Sequence, residues 1–199
     1  DKQLSAWVEG EQIRLCRLPK PSIIDAMNTA LLLATGDHVL FVDDDIIPSE
    51  ELLNVYEKVT HVHPDALIAG RVLQPWHHGE PEPEDKTPFM YNTLTPRVCT
   101  EFIGCNFLLP RQAALRLGGF DAAFVRVAYR YEAEFAYRWR QYGYQILYEP
   151  HALIHHLRAQ RGGTRSYGLH LTTIRPDHAV GRYYYLLRTQ HLFSAIYVS

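Results

Sequence analysis

Apolar residues recur at helical spacing after Ser22 and are followed by a cluster of acids. The segment SIIDAMNTALLLATGD predicts a helix that starts at Ser22, with Asp25 as its capping-box partner, and ends at Gly36. The next apolar run, His38–Val42, is short and uninterrupted, which predicts a buried strand of a sheet covered on both faces. Three aspartates follow at residues 43 to 45, so acids lie at the carboxyl end of this predicted strand.

Strand and helix patterns continue to alternate along most of the chain. They predict strands over 66–73, 101–109, 145–148 and 152–156, and helices over 48–59, 110–117, 130–142 and from 177 onward. This alternation favours an α/β fold with a mainly parallel sheet flanked by helices, in one domain over 1–176. An aromatic helix over 177–199 is expected to pack on that domain. Segment 75–98 is rich in proline and acids and has neither period, which predicts an exposed loop.

Composition and charge narrow the class of protein. The chain has 199 residues, 47% of them hydrophobic and 21% charged, which suits one globular domain. Its formal net charge of −2 provides no basic excess, so we expect no nucleic-acid partner. Cys16, Cys99 and Cys105 form no CxxC pair, which indicates reduced thiols and a cytoplasmic protein. We expect neither a signal peptide nor a membrane span, since no apolar run approaches the roughly 18 to 20 residues that a span needs.

The aspartates after the first predicted strand are candidate metal ligands. Side chains at positions i and i+2 of a strand point to the same side, so Asp43 and Asp45 project together while Asp44 faces away. Two like charges at a buried strand end are unfavourable unless a cation or a hydrogen-bonded ligand neutralises them, and oxygen ligands suit Mg²⁺ or Mn²⁺. The alternative is a solvated acidic turn that caps the following helix.

The helix over 130–142 holds two glutamates in different surroundings. At about 100° per residue, Glu132 falls on the apolar face with Phe135, whereas Glu134 falls beside Arg138 on the other side. An i, i+4 ion pair explains Glu134. Desolvation at the edge of an apolar face raises the pKa of a carboxyl, as a general base requires, so Glu132 is the candidate base. The alternative for Glu132 is a buried structural acid bonded to backbone or to an arginine.

Two further segments contain candidate binding residues. In the strand that ends ALIHH, only one of His155 and His156 can point toward a site at the end of that strand. The segment RGGTR could wrap a diphosphate through backbone N–H groups and arginine forks, and it also fits an ordinary surface turn. Its candidate binding residues are Arg161, Gly162, Gly163, Thr164 and Arg165.

Three stretches, taken in chain order, resemble the family 2 glycosyltransferases. KPSIIDAMNTALLLATGDHVLFVDDDIIP is similar to the segment that leads to that family's DxD motif, here Asp43-Asp44-Asp45. FIGCNFLLPRQAALRLGGFD is similar to its acceptor-side strand, helix and GGFD turn, and YRYEAEFAYRWRQYGYQILYEPHALIHH to its acidic helix, strand and terminal histidine. The resemblance covers about residues 18 to 165 and implies a single domain of the nucleotide-sugar-binding GT-A fold, with a Rossmann-like sheet.

The resemblance also implies roles for individual residues and an activity. By position, Asp43 would lie near the ribose and the metal, Asp45 and His156 would bind the metal, and Glu132 would deprotonate the acceptor. Tyr131 stands where the family usually has an acid, so Glu134 is kept as the reserve base. The implied reaction moves a sugar from a nucleotide-sugar donor to a hydroxyl of a glycan or lipid-linked sugar acceptor, with inversion and with Mn²⁺ or Mg²⁺.

Several alternatives stay open at this point. Family members begin with strands that hold the nucleotide base, and this sequence starts at what looks like the loop after them, so we expect an N-terminally incomplete domain. The rival functions are a nucleotidyltransferase of similar architecture and a non-catalytic sugar- or partner-binding module. The tail GRYYYLLRTQHLFSAIYVS predicts core packing, with peripheral association at the inner face of the membrane as the alternative.

Overall fold

Six strands form one sheet in the part of the chain that the structure describes. The structure, a computed structural model, describes residues 2–77, 91–158, 168 and 176–190. The strands are β1 (His38–Val42), β2 (Ile46–Pro48), β3 (Leu67–Leu73), β4 (Arg97–Val98), β5 (Asn106–Pro110) and β6 (Ile146–His156). The helices are α1 (Lys2–Glu9), α2 (Ile23–Leu33), α3 (Leu52–Val62), α4 (Arg111–Arg116), α5 (Tyr131–Gln141) and α6 (Asp177–Thr189).

The sheet is mixed rather than mainly parallel. Its strand order is β1-β5-β3-β6-β2, with β4 against β6. β3 and β6 pair in parallel, and every other pairing among the described strands is antiparallel. β1 and β3 do run in the same direction, but β5 is inserted between them in the opposite direction. The α/β prediction is confirmed, and the pairing is corrected, because alternation along the chain does not reveal which strands become neighbours.

Apolar side chains cover both faces of the sheet. On one face, Ala69 and Phe107 pack with helices α2, α4 and α5 in a cluster that includes the buried Trp139. On the other face, Ile68 and Leu108 pack with helix α3. Successive residues of a strand point to opposite faces, so alternating positions of β3 and β5 supply both cores.

Helix α2 begins where its sequence predicts but ends at Leu33, before the predicted Gly36, and strand β1 differs from its prediction in burial. The Ser22 hydroxyl accepts the N–H of Asp25 at 3.1 Å, which caps the helix at the predicted residue. β1 has the predicted bounds but lies at the end of the strand order, and Val42 is 45% exposed. The expectation of a buried strand is therefore corrected, because β1 lies at the edge of the described sheet. Both of its faces are covered as predicted, since Val39 and Phe41 pack on one core cluster and Leu40 on the other.

Strand β6 is one strand with a bulge, where the sequence predicts two strands. Its register against β3 shifts between Gly70 and Arg71, so residues 150–152 of β6 are passed over. Pro150 has no N–H to donate to a ladder, which explains why the strand pattern breaks there. Beyond the bulge, β6 continues beside β3 as far as His155, opposite Leu73.

The Asn106 side chain stabilises this bulge. Its Nδ2 donates to the carbonyl oxygens of Arg71, at 3.1 Å, and Ala152, at 2.8 Å. Its Oδ1 accepts the hydroxyl proton of Tyr56 at 2.7 Å, and both side chains are buried. The amide thus satisfies carbonyl groups that the shifted ladder leaves in the interior.

Strands β2 and β4, the start of β5 and part of the predicted loop 75–98 differ from the sequence-based prediction. β2 and β4 are too short to show a period, and β5 starts at Asn106 instead of residue 101. Much of segment 75–98 lies outside the described residues; Trp76, Leu94 and Val98 are exposed as predicted, but residues 91–93 are not. Tyr91 and Asn92 are buried, and Asn92 Oδ1 accepts from Arg71 Nε at 2.9 Å.

Helix α6 packs on the segment that leads into α5. Gly181 approaches the Tyr129 backbone so closely that a Cβ there would lie 2.3 Å from the Tyr129 carbonyl oxygen. Arg126 forms an ion pair with Asp177 in the first turn of α6. In the residues described, no helix combines the length and the apolar character needed to cross a bilayer. The division between 1–176 and 177–199 stays a prediction.

The space around Gly70 leads to a stability prediction. A Cβ at Gly70 would lie 2.2 Å from Asn106 Nδ2, 2.5 Å from the Ala152 carbonyl oxygen and 2.6 Å from the Tyr56 hydroxyl. We expect Gly70→Ala to lower the free energy of unfolding by about 2 to 4 kcal/mol, because the methyl group must displace the amide that holds the bulge. Chemical denaturation measures this loss.

Gly36 provides the matched control for that substitution. It is exposed, and a Cβ there would meet only the His38 carbonyl oxygen, at 3.3 Å. We expect Gly36→Ala to change the free energy of unfolding by less than about 1 kcal/mol. Equal losses in the two variants would contradict the role given to the bulge.

Candidate functional site

Three aspartates connect strands at opposite ends of the strand order. They follow β1 and precede β2, so they cross the edge of the sheet at which β3 and β6 end. β1, β3 and β6 run in the same direction, so their carboxyl ends lie at one edge, the usual location of ligands in open α/β sheets. The predicted position of the acids, at the carboxyl end of a strand, is confirmed.

Strand β2 brings Asp45 beside His156. Ile46 pairs with His156 in the β2–β6 ladder, and the N–H of Leu157 donates to the Asp45 carbonyl oxygen at 2.7 Å. His156 Nε2 consequently lies 3.1 Å from Asp45 Oδ1 and 3.7 Å from Asp43 Oδ2. Two carboxylates and an imidazole from distant parts of the sequence therefore meet at one point.

The donor atoms of this cluster suit a divalent metal ion. One ligand atom each of Asp43, Asp45 and His156 lies within 4.8 Å of the others. The side chains are 43%, 16% and 13% exposed, respectively, so the cluster is open on the side of Asp43. His155, the other member of the histidine pair, is exposed and lies outside this group. Carboxylate oxygens and an imidazole nitrogen can hold Mn²⁺ or Mg²⁺ and leave room for ligand oxygens.

Gln74 contacts the far side of the His156 ring. Its Oε1 lies 3.1 Å from His156 Nδ1, and the side chain is buried. The sequence analysis did not select Gln74. It directly follows β3, so its position at the carboxyl end of a second strand was the signal that could have found it.

Glu132 is the second residue of α5, and its carboxylate lies beside the backbone that precedes β5. A Cβ at Gly104 would lie 3.0 Å from Glu132 Oε1, so the carboxylate borders this backbone closely. Burial raises the pKa of Glu132 to about 7, and the negative charges of Glu101 and Asp43 add to the rise while Arg130 opposes it. Glu132 and the acid cluster are therefore within electrostatic reach of each other.

The Cys105 thiol is buried and lies within electrostatic reach of both groups of carboxylates. Burial raises the pKa of the Cys105 thiol, and the charges of Asp43, Glu132 and Asp45 add to the rise. The described cysteines are all free, as the sequence predicts. Cys105 therefore packs as a small apolar side chain in the core cluster that contains Leu108 and Ile154.

Glu134 forms the ion pair that its spacing predicts, but in the interior. Its side chain is 1% exposed, with Oε1 2.8 Å from Arg138 Nε and Oε2 2.9 Å from Arg138 Nη2. Arg188 of α6 adds a longer contact, with Nη2 at 3.4 Å from Oε1. Both carboxylate oxygens thus bind Arg138, and the Arg188 contact joins α5 to α6.

The backbone that leads into α5 is strained. Arg126, Ala128 and Arg130 have φ values of 61°, 50° and 73°, in the left-handed region that non-glycine residues rarely adopt. Arg130 forms an ion pair with Glu101 at 2.8 Å and lies over the Tyr185 ring of α6. These contacts hold the turn that sets the position of Glu132, and sequence patterns do not reveal them.

Tyr131 and the RGGTR segment complete the predicted set. Tyr131, which stands in place of an acid, is buried, and a Cβ at Gly104 would lie 2.3 Å from its hydroxyl. Residues Arg161, Gly162, Gly163, Thr164 and Arg165 lie outside the described residues. Among the described residues, a groove of about 580 Å³ lies along α2 and one of about 430 Å³ lies beside β4, and neither is lined by Asp43, Asp45 or His156.

The sequence matches one protein family. The profile described as Glycosyl transferase family 2 matches residues 2–118, a stretch that contains the three aspartates. No curated protein matches the chain. The profile match covers more than half of the 199 residues.

Solved glycosyltransferase structures share the fold. GalNAc-T7 with UDP, GalNAc and Mn²⁺ has a TM-score of 0.65 and 13% identity, over 81% of this chain and 36% of that one. The mannosyltransferase PcManGT from Pyrobaculum calidifontis, in complex with GDP-Man and Mn²⁺, has a TM-score of 0.60 and 19% identity, over 100% and 51%. TarS 1–349 of S. aureus in complex with UDP-GlcNAc has a TM-score of 0.63 and 15% identity, over 94% and 54%. The chain thus spans between about a third and a half of these neighbours.

The sheet topology, the acids at its carboxyl edge and the comparisons agree. The structural neighbours confirm the predicted GT-A-like α/β fold. The profile match includes the predicted DxD segment. This chain belongs to glycosyl transferase family 2.

Proposed function

We propose that this chain transfers a sugar from a nucleoside-diphosphate sugar to an acceptor hydroxyl, with Mn²⁺ or Mg²⁺ bound by Asp43, Asp45 and His156. The observation that carries the proposal is the approach of His156 Nε2 to the two carboxylates at the sheet edge, in a family 2 chain. The neighbours crystallised with UDP or GDP-Man and with Mn²⁺ support a donor of this class.

The cluster suits the leaving group of such a donor. Bound there, a divalent ion supplies positive charge that neutralises the departing diphosphate. Asp45 is the less exposed acid and would be a direct ligand, whereas the more exposed Asp43 would also face the ribose. The segment from Arg161 to Arg165 is proposed, from its sequence alone, to contact the diphosphate.

Glu132 is the proposed base. With its pKa near 7, the carboxylate can accept a proton at neutral pH. The acceptor hydroxyl would give its proton to Glu132 while its oxygen attacks the anomeric carbon from the side opposite the diphosphate, so the configuration inverts. Glu134 is less suited, because both of its oxygens already bind Arg138 in the interior.

The acceptor is proposed to be a glycan or a lipid-linked sugar. Helix α6 would contribute to its surroundings, because it packs on the turn before Glu132 through Arg130 and Gly181. Peripheral contact with the inner face of a membrane, through the aromatic tail, belongs to the same proposal.

The experiment that tests the function is a panel of nucleotide sugars incubated with the chain, with and without Mn²⁺. Sugar transfer releases the nucleoside diphosphate, whereas nucleotidyl transfer would release pyrophosphate.

We expect Asp45→Ala to abolish Mn²⁺-dependent donor binding, measured by calorimetry. Asp44→Ala is the control and should bind as wild type does, because Asp44 is exposed and lies outside the ligand cluster. Donor binding that is unaffected by Mn²⁺ in the wild type would favour the non-catalytic alternative.

Replacing each glutamate of α5 by glutamine should separate catalysis from stability. Glu132→Gln removes the base, so we expect kcat to fall by about 10²- to 10⁴-fold with donor affinity unchanged. Glu134→Gln leaves the Arg138 charge without its buried partner, so we expect the free energy of unfolding to fall by about 3 kcal/mol. Steady-state kinetics and denaturation on both variants measure the split. Full activity in Glu132→Gln would show that Glu132 is not the base.

The raised pKa of Glu132 predicts two opposite pH effects. Protonation removes the base, so kcat should fall about tenfold per pH unit below about pH 7. Stability behaves in the other direction: the folded chain holds this proton more tightly than the unfolded chain, so the stabilising contribution is lost as pH rises from about 4.5 to about 7. Glu132→Gln should show neither change, as pH–rate profiles and denaturation at several pH values would reveal.

A further inference from the structure

The two nitrogens of the His156 ring face different groups. Nε2 is directed at Asp45 and Asp43, at 3.1 and 3.7 Å, and Nδ1 is 3.1 Å from Gln74 Oε1. An amide oxygen only accepts hydrogen bonds, so this contact requires the proton to be on Nδ1. A neutral ring with its proton on Nδ1 has its lone pair on Nε2, the nitrogen that faces the two acids.

Gln74 is itself held in place by the fold. It follows β3, whose last residue, Leu73, pairs with His155 in the parallel ladder with β6, so Gln74 lies beside His156 by register. Its backbone N–H donates to His77 Nδ1 at 3.0 Å, and its carbonyl oxygen accepts the His77 N–H at 3.0 Å. The Gln74 side chain is buried, which limits its freedom to turn away from the ring.

We infer that Gln74 is a positioning residue, which holds His156 in the tautomer and orientation that direct the Nε2 lone pair to the metal ion. This inference rests on the proposed function, because it requires Asp43, Asp45 and His156 to bind that ion. Hydrogen-bond partners of this kind orient metal-binding histidines and increase their basicity, and their loss typically weakens metal affinity by about 10- to 100-fold.

The test is Mn²⁺ binding to the full chain without donor or acceptor, measured by calorimetry or by the electron paramagnetic resonance signal of free Mn²⁺. Gln74→Leu removes the acceptor and keeps a similar volume, so we expect Mn²⁺ affinity to fall by about 10- to 100-fold. Gln74→Glu keeps an acceptor for the Nδ1 proton, so it should bind Mn²⁺ at least as tightly as the wild type. A merely structural role for Gln74 would lower the thermal transition of Gln74→Leu and leave the Mn²⁺ affinity of the folded variant unchanged.

Two control variants distinguish failure of this inference from failure of the proposed function. Gln145→Leu makes the same change just before β6, at the opposite end of the strand from His156, and should bind Mn²⁺ as the wild type does. Asp45→Ala should bind little or none. If the wild type binds no better than Asp45→Ala, the proposed metal site is wrong and the inference falls with it.

The remaining outcomes concern Gln74 alone. If the wild type binds through Asp45 but Gln74→Leu retains wild-type affinity, the inference is overturned and the proposed function stands. Should Gln74→Leu fail to fold, as judged by its thermal transition, Gln74→Glu still decides the matter. A tenfold weaker affinity in folded Gln74→Glu would overturn the positioning role, because the acceptor is still present.

Discussion

The pairing of β2 with the end of β6 is the contact on which the candidate site depends. β2 has three residues, yet it sets Ile46 opposite His156 and brings Asp45 next to that histidine. Because the aspartates form the whole connection from β1 to β2, the same pairing determines where all three acids cross the sheet edge. Backbone hydrogen bonds between β2 and β6 thus set the distance between the carboxylates and the imidazole.

The bulge in β6 allows that pairing to coexist with a continuous parallel ladder. Without the three extra residues, the strand would reach the sheet edge in a different register against β3. The buried amide of Asn106 satisfies the two carbonyl groups at the bulge, and Tyr56 connects the amide to α3. A polar network with every member bonded is favourable in a core, whereas one missing partner would leave buried groups unsatisfied.

Two glutamates on one helix illustrate how surroundings decide the chemistry of a carboxyl group. Glu134 is more buried than Glu132, yet a bidentate arginine neutralises it and makes it structural. Burial raises the pKa of Glu132, and the negative charges of Glu101 and Asp43 add to the rise. The strained turn before α5 is held by contacts with Glu101 and α6. It positions Glu132 at the same edge of the sheet as the metal ligands.

The sequence by itself determined the features that depend on neighbours within a few residues. The cap at Ser22, the strand before the acids, and the split between Glu132 and its arginine-paired neighbour all follow from helical or strand periodicity. Only the tertiary structure decided that β5 lies between β1 and β3, that Gln74 contacts His156 across 82 positions, and that Asp45 does so across 111. Those contacts depend on which distant segments pair through their backbones, and local periodicity carries no information about such pairing.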